Sequence, residues 1–344
     1  MRVRLAAEAD LPVWQQFVDG NVQAGCMHHA GWYGVLRDAF CVTPFFLMAF
    51  KGDGAVAGIL PTYFSSSLLT GRHISSLEDG ILATERDAVD ALLNEALTLR
   101  DKTRSQYLQI RGGINVRSAD FVQPSIHTII NTSEPENKLW TAIKKRTRWA
   151  VRQAEKTNLT IEHDVELGEL SNFYKVYAAH MRDLGTPVFG ADVFKAIVTH
   201  LGRARLRLYL VKNGPQLIGG MMCIINGRRW TDYYAIVRPS ADTEFANYLL
   251  YWHVIRDASC NGIERLDLGR STPESNVHQF KRKWRGIDID VPYYFYVRPG
   301  RSRRNLGFIR QKEEKGALQR CWGNLPLSVS NRLGPLIRKQ LPFI

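Results

Sequence analysis

Two stretches far apart in the chain carry the same alternation of apolar and polar positions. PFFLMAF, the turn KGDG and AVAGILPTYF read as strand, turn, strand. RLRLYLV, KNGP and QLIGGMMCII repeat that hairpin, with Lys51 answering Lys212 and Gly58 answering Gly219, 161 residues apart. An amphipathic helix pattern with Leu92, Leu93, Leu97 and Arg100 then precedes the strand YLQIRGG. Its counterpart, with Leu249, Leu250, Val254 and Arg256, precedes RLDLGRS, and these strands are 158 residues apart. Hairpin, helix and strand recurring in one order predict an internal duplication: two α/β lobes, each a mixed sheet flanked by helices.

Between the repeats, Ser133 and Glu136 bracket Pro135 as a capping-box start. One helix is expected from there, with Leu139, Ile143, Ala150 and Ala154 on its apolar face and Lys145, Arg148, Arg152 and Lys156 on a basic stripe. Further helices are expected over 171–181, 194–201 and 245–258, and strands over RWTDYYAIV, IERLDL and VPYYFYV. The expected division is a first lobe over 1–131, a basic connecting helix over 132–160, a second lobe over 161–297 and a basic tail over 298–344. In the tail, Arg301 to Arg304 read as a flexible exit, and Pro326, Pro335 and Pro342 limit the rest to short helical turns.

The 344 residues suffice for two cores, and no apolar run approaches the roughly 20 residues that span a bilayer. Glu8 and Asp10 interrupt the start of the chain, which predicts a cytoplasmic location without a signal peptide. Five scattered cysteines, without CxxC spacing, fit free thiols in that compartment. Adjacent His28 and His29, with no HxxxH spacing elsewhere, predict no metal site. The net charge of +13 points to an anionic partner. Much of it lies in the tail, where eleven Lys/Arg face only Glu313 and Glu314. Localised contact with phosphate or with acidic lipid at the inner membrane face follows from that, and DNA binding does not, since no helix-turn-helix or zinc-finger pattern occurs.

The richest segment is Ile263 to Trp284. A strand with Leu266 and Leu268 on one face and Arg265 and Asp267 on the other turns at Gly269 into Arg270, Ser271 and a polar loop. It then reaches Phe280, Lys281 and Trp284. Cation, hydroxyl, carboxylate and aromatic anchor arrive together, as an anionic or acyl-bearing ligand requires; the alternative is a solvated surface loop.

The hairpin GAVAGILPTYF with LLTGRHISSLEDG, the basic helix IKKRTRWAVRQAEK, the turn DLGTPVF, and DLGRST with FKRKW together resemble the FemAB-like branch of the GNAT acyltransferase superfamily. That branch includes proteins with a BioF2-like acetyltransferase domain, some associated with exosortase and exopolysaccharide systems. The resemblance covers roughly residues 1–297. It implies two tandem GNAT lobes and transfer of an acyl group from acyl-CoA or aminoacyl-tRNA to an amine of an anionic or lipid-linked envelope precursor, as in peptidoglycan-bridge synthesis. It also places Phe280-Lys281 where a Phe-Lys pair lies at the transfer site of the bridge enzymes. A departure is RPSADTEFANYLL, which stands where acyl-CoA users carry a glycine-rich pyrophosphate loop.

For acyl transfer, Lys281 is the candidate for stabilising the oxyanion, with Phe280 beside it. Asp232 and Asp267 are candidate bases and Tyr234 a candidate proton donor. Arg270, Ser271, Trp284, Lys145, Arg148 and Arg152 are candidates for substrate binding. Asp267 has the competing reading of a turn cap, and Tyr234 that of a core edge. The other functional class is a non-catalytic module binding a polyanion such as tRNA, lipid diphosphate or polysaccharide.

Overall fold

The computed structural model describes residues 1–67, 71–113, 119–238, 240, 243–300 and 316–339. The strands are β1 Arg2–Leu5, β2 Thr43–Phe50, β3 Val56–Ser67, β4 Gly71–Ser76, β5 Leu82–Ala83, β6 Tyr107–Arg111, β7 Phe121–Gln123 and β8 Ile126–Asn131. There follow β9 Leu159–His163, β10 Leu206–Asn213, β11 Gln216–Asn226, β12 Arg229–Val237, β13 Arg265–Ser271, β14 Ile287–Asp290 and β15 Tyr293–Val297. The helices are α1 Leu11–Asp19, α2 Trp32–Asp38, α3 Arg86–Lys102, α4 Glu136–Ala142, α5 Lys145–Ala154, α6 Leu170–Asp183, α7 Ala191–Leu201, α8 Ala246–Cys260, α9 Asn276–Lys281, α10 Ala317–Gly323 and α11 Leu327–Arg338.

Two mixed sheets form, in the orders β1-β2-β3-β4-β6-β15-β7, with β5 on β3, and β9-β10-β11-β12-β13-β8-β14. Position for position they are the same sheet. In each, one inner pair is parallel, β4 with β6 and β12 with β13, and every other pair is antiparallel. Both expected hairpins are present, β2–β3 and β10–β11. The chain is thus two tandem GNAT-like lobes.

The lobes exchange strands. β8 precedes residue 131 yet pairs with β13 in the second sheet, whereas β15 pairs with β6 in the first. Each lobe keeps its own short edge strand, β7 or β14, outside the strand it receives. The sheets therefore do not part at residue 131 as the linear division expects. A periodicity of two specifies which face of a strand is buried, not which sheet accepts it.

A shared apolar layer lies between the sheets, built from Trp14, Trp32 and Phe46 of the first half and Phe173, Phe194 and Leu208 of the second. There α2 crosses α7 so closely that a Cβ on Gly34 would lie 2.3 Å from the His200 ring. Outside the first sheet lies α3 with Leu92, Leu93 and Ala96; outside the second lie α5 and α8 with Val151, Leu250 and Val254.

The single basic helix is in fact two. Ile143 and Lys144 are extended, so α4 ends at Ala142 and α5 begins at Lys145. Pro135, not Ser133, occupies the α4 N-cap, and no side chain bonds there. The break lets Leu139 and Trp140 pack on α8 independently of Ala150, Val151 and Ala154. In the tail, α11 runs for 12 residues through Pro335, contrary to the expected short turns, because it packs beside Val188. Arg338 is buried there with its guanidinium 4.3 Å from the Phe189 ring centre, so it is not part of an exposed basic surface. The Arg301 to Arg304 run lies outside the described residues, as do residues 239, 241 and 242 of the RPSADTEFANYLL turn. Among the described residues no helix is long and apolar enough to cross a membrane.

The exchange makes a testable statement about Phe295, which is fully buried and stacked on Phe121 at 4.3 Å. Phe295→Ala should cost about 3–5 kcal/mol and speed amide exchange in Tyr107–Arg111. Faster exchange restricted to residues 159–271 would contradict the pairing.

Candidate active site

β12 and β13 pair only from Arg229 with Arg265 to Thr231 with Asp267, and then separate. Both bulge at that point. β12 carries an extra residue, Tyr233, against β11, and β13 shifts register between Asp267 and Arg270 against β8. Gly269 takes φ 71°, and a Cβ there would lie 2.8 Å from the Asp232 carbonyl, so glycine is required. A notch opens between the strands.

Lys281, at the end of α9, enters this notch and is buried. Its Nζ donates to the carbonyls of Gly269 and Arg270, both at 2.9 Å, which leaves one of its three donors for a ligand. Burial lowers its proton affinity, and Asp232, Asp267 and Glu78 oppose that. Asp232 is pushed up to about 6 by burial, against the pull of the Lys281 ammonium and a 2.9 Å hydrogen bond from the Tyr251 hydroxyl. A carboxylate with that pKa is well matched to taking a proton near neutral pH.

Asp267 is fully buried and differently employed. It binds His127 Nδ1 at 2.9 Å, accepts from the Arg229 guanidinium, and takes the Gly269 N–H at 2.8 Å. Burial would raise its pKa, but His127 and Arg229 outweigh it and hold the carboxyl far below the usual range. That makes it a turn-capping structural anion and a poor base. Arg229 also reaches Asp79 of the first lobe at 3.7 Å, and His127 Nε2 lies 3.9 Å from Glu78. Glu78 in turn accepts from the Tyr293 hydroxyl at 2.7 Å and faces Arg270 at 3.6 Å, so β8, β13, β15 and the Leu77–Gly80 turn converge on the notch.

The other expected residues divide. Arg270 lies over the Tyr293 ring at 5.6 Å, and the buried Ser271 hydroxyl has no hydrogen-bond partner among the described residues. Phe280 and Trp284 pack with Tyr248 and Tyr251, with Trp284 stacked on Tyr251 at 5.9 Å, and so brace α9. Tyr234 lies on the other side of the sheet, with Tyr177 at 5.1 Å and Phe194 at 5.2 Å, and burial raises its pKa well above that of a free phenol. The Tyr233 bulge causes this by breaking the alternation that would put Asp232 and Tyr234 on one face. Lys145, Arg148 and Arg152 are on α5, outside the notch, with Arg152 over Trp140 at 5.6 Å. Sequence reasoning missed Glu78, Asp79, His127, Arg229 and Tyr251. The acidic pair in LEDG, where Asp79 has φ 70°, was the available signal.

Residues 141–282 match the model of the acetyltransferase (GNAT) domain family. This places a GNAT-type acyltransferase domain in the second half of the chain. Its fold is similar to that of FemX, at 14% identity over 90% of this chain and 99% of that one, with a TM-score of 0.66. It is also similar to the C-terminal domain (DUF2156) of a putative lysylphosphatidylglycerol synthetase from Agrobacterium fabrum, at 10% identity, 88% and 95% coverage and a TM-score of 0.58. A tandem GNAT protein from the clavulanic acid biosynthesis pathway aligns at 12% identity, 88% and 99% coverage and a TM-score of 0.56. The comparison with curated proteins gave no match.

The Asp267 cluster sets a pH dependence of folding. His127 is buried, which would lower its pKa, but Asp267 outweighs burial and raises it. Its contribution is therefore fully present below the ordinary histidine value of about 6.5 and lost as pH rises through the higher folded value. Asp267, with a depressed pKa, contributes above about pH 3.9 and loses that as pH falls. The urea midpoint should decline on the alkaline side, and His127→Gln should flatten the decline. An unchanged alkaline slope in the variant would separate His127 from it. Asp267→Asn, which strands two buried cations, should cost on the order of 3 kcal/mol.

Proposed function

We propose that the protein transfers an acyl or aminoacyl group from an activated donor to an amine of a cell-envelope or exopolysaccharide precursor. In this reading residues 161–290, with β8 and the 132–160 connector, form the transfer lobe, and the notch holds the reacting carbonyl. The observation that carries it is Lys281, buried in the notch with one N–H to spare beside a carboxylate of raised pKa. The acceptor ammonium first loses one proton to water, and Asp232 takes a second from the nitrogen as it adds to the carbonyl. The amine nitrogen attacks the donor carbonyl, and Lys281 donates to the oxygen as it gains charge. When the bond from carbonyl carbon to leaving oxygen or sulfur breaks, the proton held by Asp232 passes to the leaving group. Arg270 and Ser271 bind the anionic part of the acceptor, and Phe280 and Trp284 hold Lys281 in position.

For the donor, acyl-CoA and aminoacyl-tRNA both belong to the reading. The turn before α8 argues against the usual CoA mode, because the Ser240 N–H donates to Thr243 Oγ1 at 2.7 Å instead of standing open to a pyrophosphate. The envelope acceptor is supported by the fold shared with FemX and with the putative lysylphosphatidylglycerol synthetase domain. A cytoplasmic chain peripheral to the inner membrane face fits that acceptor. The second reading, a module that only binds polyanions, is favoured by the exposed Lys145 and Arg146 at the start of α5.

The purified chain, assayed with acyl-CoAs and charged tRNAs against amino-sugar and lipid-linked acceptors, should consume one donor. Lys281→Met should reduce kcat by about 100-fold or more, with little change in the unfolding curve. Asp232→Asn should remove the rise in kcat through pH about 6. Donor turnover unaffected by Lys281→Met sinks the assignment, and salt-sensitive binding without turnover favours the binding module.

A further inference from the structure

Under α3 the outer face of the first sheet is apolar, with Phe64, Ile74, Leu108 and Tyr296 side by side on β3, β4, β6 and β15. Two residues further along each strand the same face presents Ser66, Arg72, Gln106 and Arg298, in register with one another. By then α3 has ended, at Lys102. Backbone hydrogen bonds hold the row together: the Gln106 N–H donates to the Arg72 carbonyl at 2.7 Å, and the Arg298 N–H to the Gln106 carbonyl at 2.8 Å. Arg298 follows the exchanged strand β15, so the second half of the chain completes a row that the first half begins.

Arg104, in the link from α3 to β6, adds a third guanidinium. With Gly71, these residues line a cavity of about 360 Å³, inside the range of about 300–1,000 Å³ usual for small-molecule sites. Among the described residues no carboxylate lines it and none pairs with Arg72, Arg104 or Arg298; Arg72 donates to the Thr103 carbonyl at 3.5 Å. Three like charges on one wall repel one another, and a bound anion supplies the counter-charge. Guanidinium forks match phosphate oxygens in geometry as well as in charge. A carboxylate or a phosphate diester offers a single charge, whereas a phosphate monoester offers up to two and three terminal oxygens to share among three guanidiniums. The Ser66 hydroxyl and the Gln106 carboxamide at the same wall suit hydroxyl groups on the rest of the ligand.

We infer that this cavity binds a small hydroxylated phosphate monoester, of the sugar phosphate class, with its dianion among Arg72, Arg104 and Arg298 and its hydroxyls at Ser66 and Gln106. The site lies on the first lobe and shares no residue with the notch, so it stands or falls apart from the transfer reading.

Isothermal titration of the full chain with glucose 6-phosphate tests this, with glucose, dimethyl phosphate, inorganic phosphate and a short RNA as comparisons. Glucose 6-phosphate should bind at least about tenfold more tightly than glucose or dimethyl phosphate, and at least about threefold more tightly than inorganic phosphate. Its affinity should rise about tenfold from about pH 5 to about pH 7, because the monoester takes on its second charge near pH 6. No histidine or carboxylate in the cavity competes with that titration. Arg72→Gln with Arg104→Gly should weaken glucose 6-phosphate by at least about tenfold. Arg104 holds φ 54°, a left-handed backbone that suits glycine, so that variant keeps its fold. Arg298→Gln should cost about threefold to tenfold. Equal affinity for dimethyl phosphate or inorganic phosphate overturns the inference, as does a folded double variant that binds like the parent. Tighter binding of the RNA, lost in the double variant, overturns it in favour of a nucleic acid.

Discussion

One buried carboxylate holds this site together. Asp267 binds His127 from a strand contributed by the first half of the chain, Arg229 from β12, and the N–H of Gly269 two residues on. The last of these bonds fixes the turn whose carbonyls receive Lys281. Position therefore passes along a chain of contacts, from the exchanged strand to the anion, from the anion to the turn, and from the turn to the ammonium. A buried anion with two cations and an N–H is tolerable where an isolated one is not, and the loss of any partner strands charge in a dry interior.

The same carboxylate ties the lobes. Arg229 bridges from Asp267 towards Asp79, and Glu78 beside it meets Tyr293 of β15, which the second half of the chain gives to the first sheet. The strand exchange accounts for this convergence. Had β8 and β15 stayed with their own lobes, His127 and Tyr293 would each lie in the other sheet, and the notch would lose its walls.

Local order was legible from the residues, and long-range partnership was not. The two hairpins, the helices before β6 and β13, and the glycine turn at Gly269 follow from alternation, helical spacing and turn chemistry, each read within about ten residues. The turn-cap reading of Asp267 was equally local and agrees with its bond to the Gly269 N–H. What escaped were features set by distant contacts: the exchange of β8 and β15, the break at Ile143, and the Tyr233 bulge that separates Tyr234 from Asp232. His127 and Glu78 carry no motif of their own; they matter because the exchanged strands deliver them beside Asp267 and Arg270.

Burial moves Lys281 and Asp232 in opposite directions, lowering one and raising the other, and each partly restores the other's charge. In the proposed reaction that coupling has a direction. As the donor carbonyl accepts the amine, negative charge grows on the oxygen facing Lys281 and partly neutralises the ammonium's influence on Asp232. Relieved of that cation, and with the new charge nearby, Asp232 becomes more basic at the moment the attacking nitrogen becomes more acidic. Proton removal and carbonyl addition thus reinforce each other through a single ammonium. An exposed lysine could not supply this, because water would screen it from both groups.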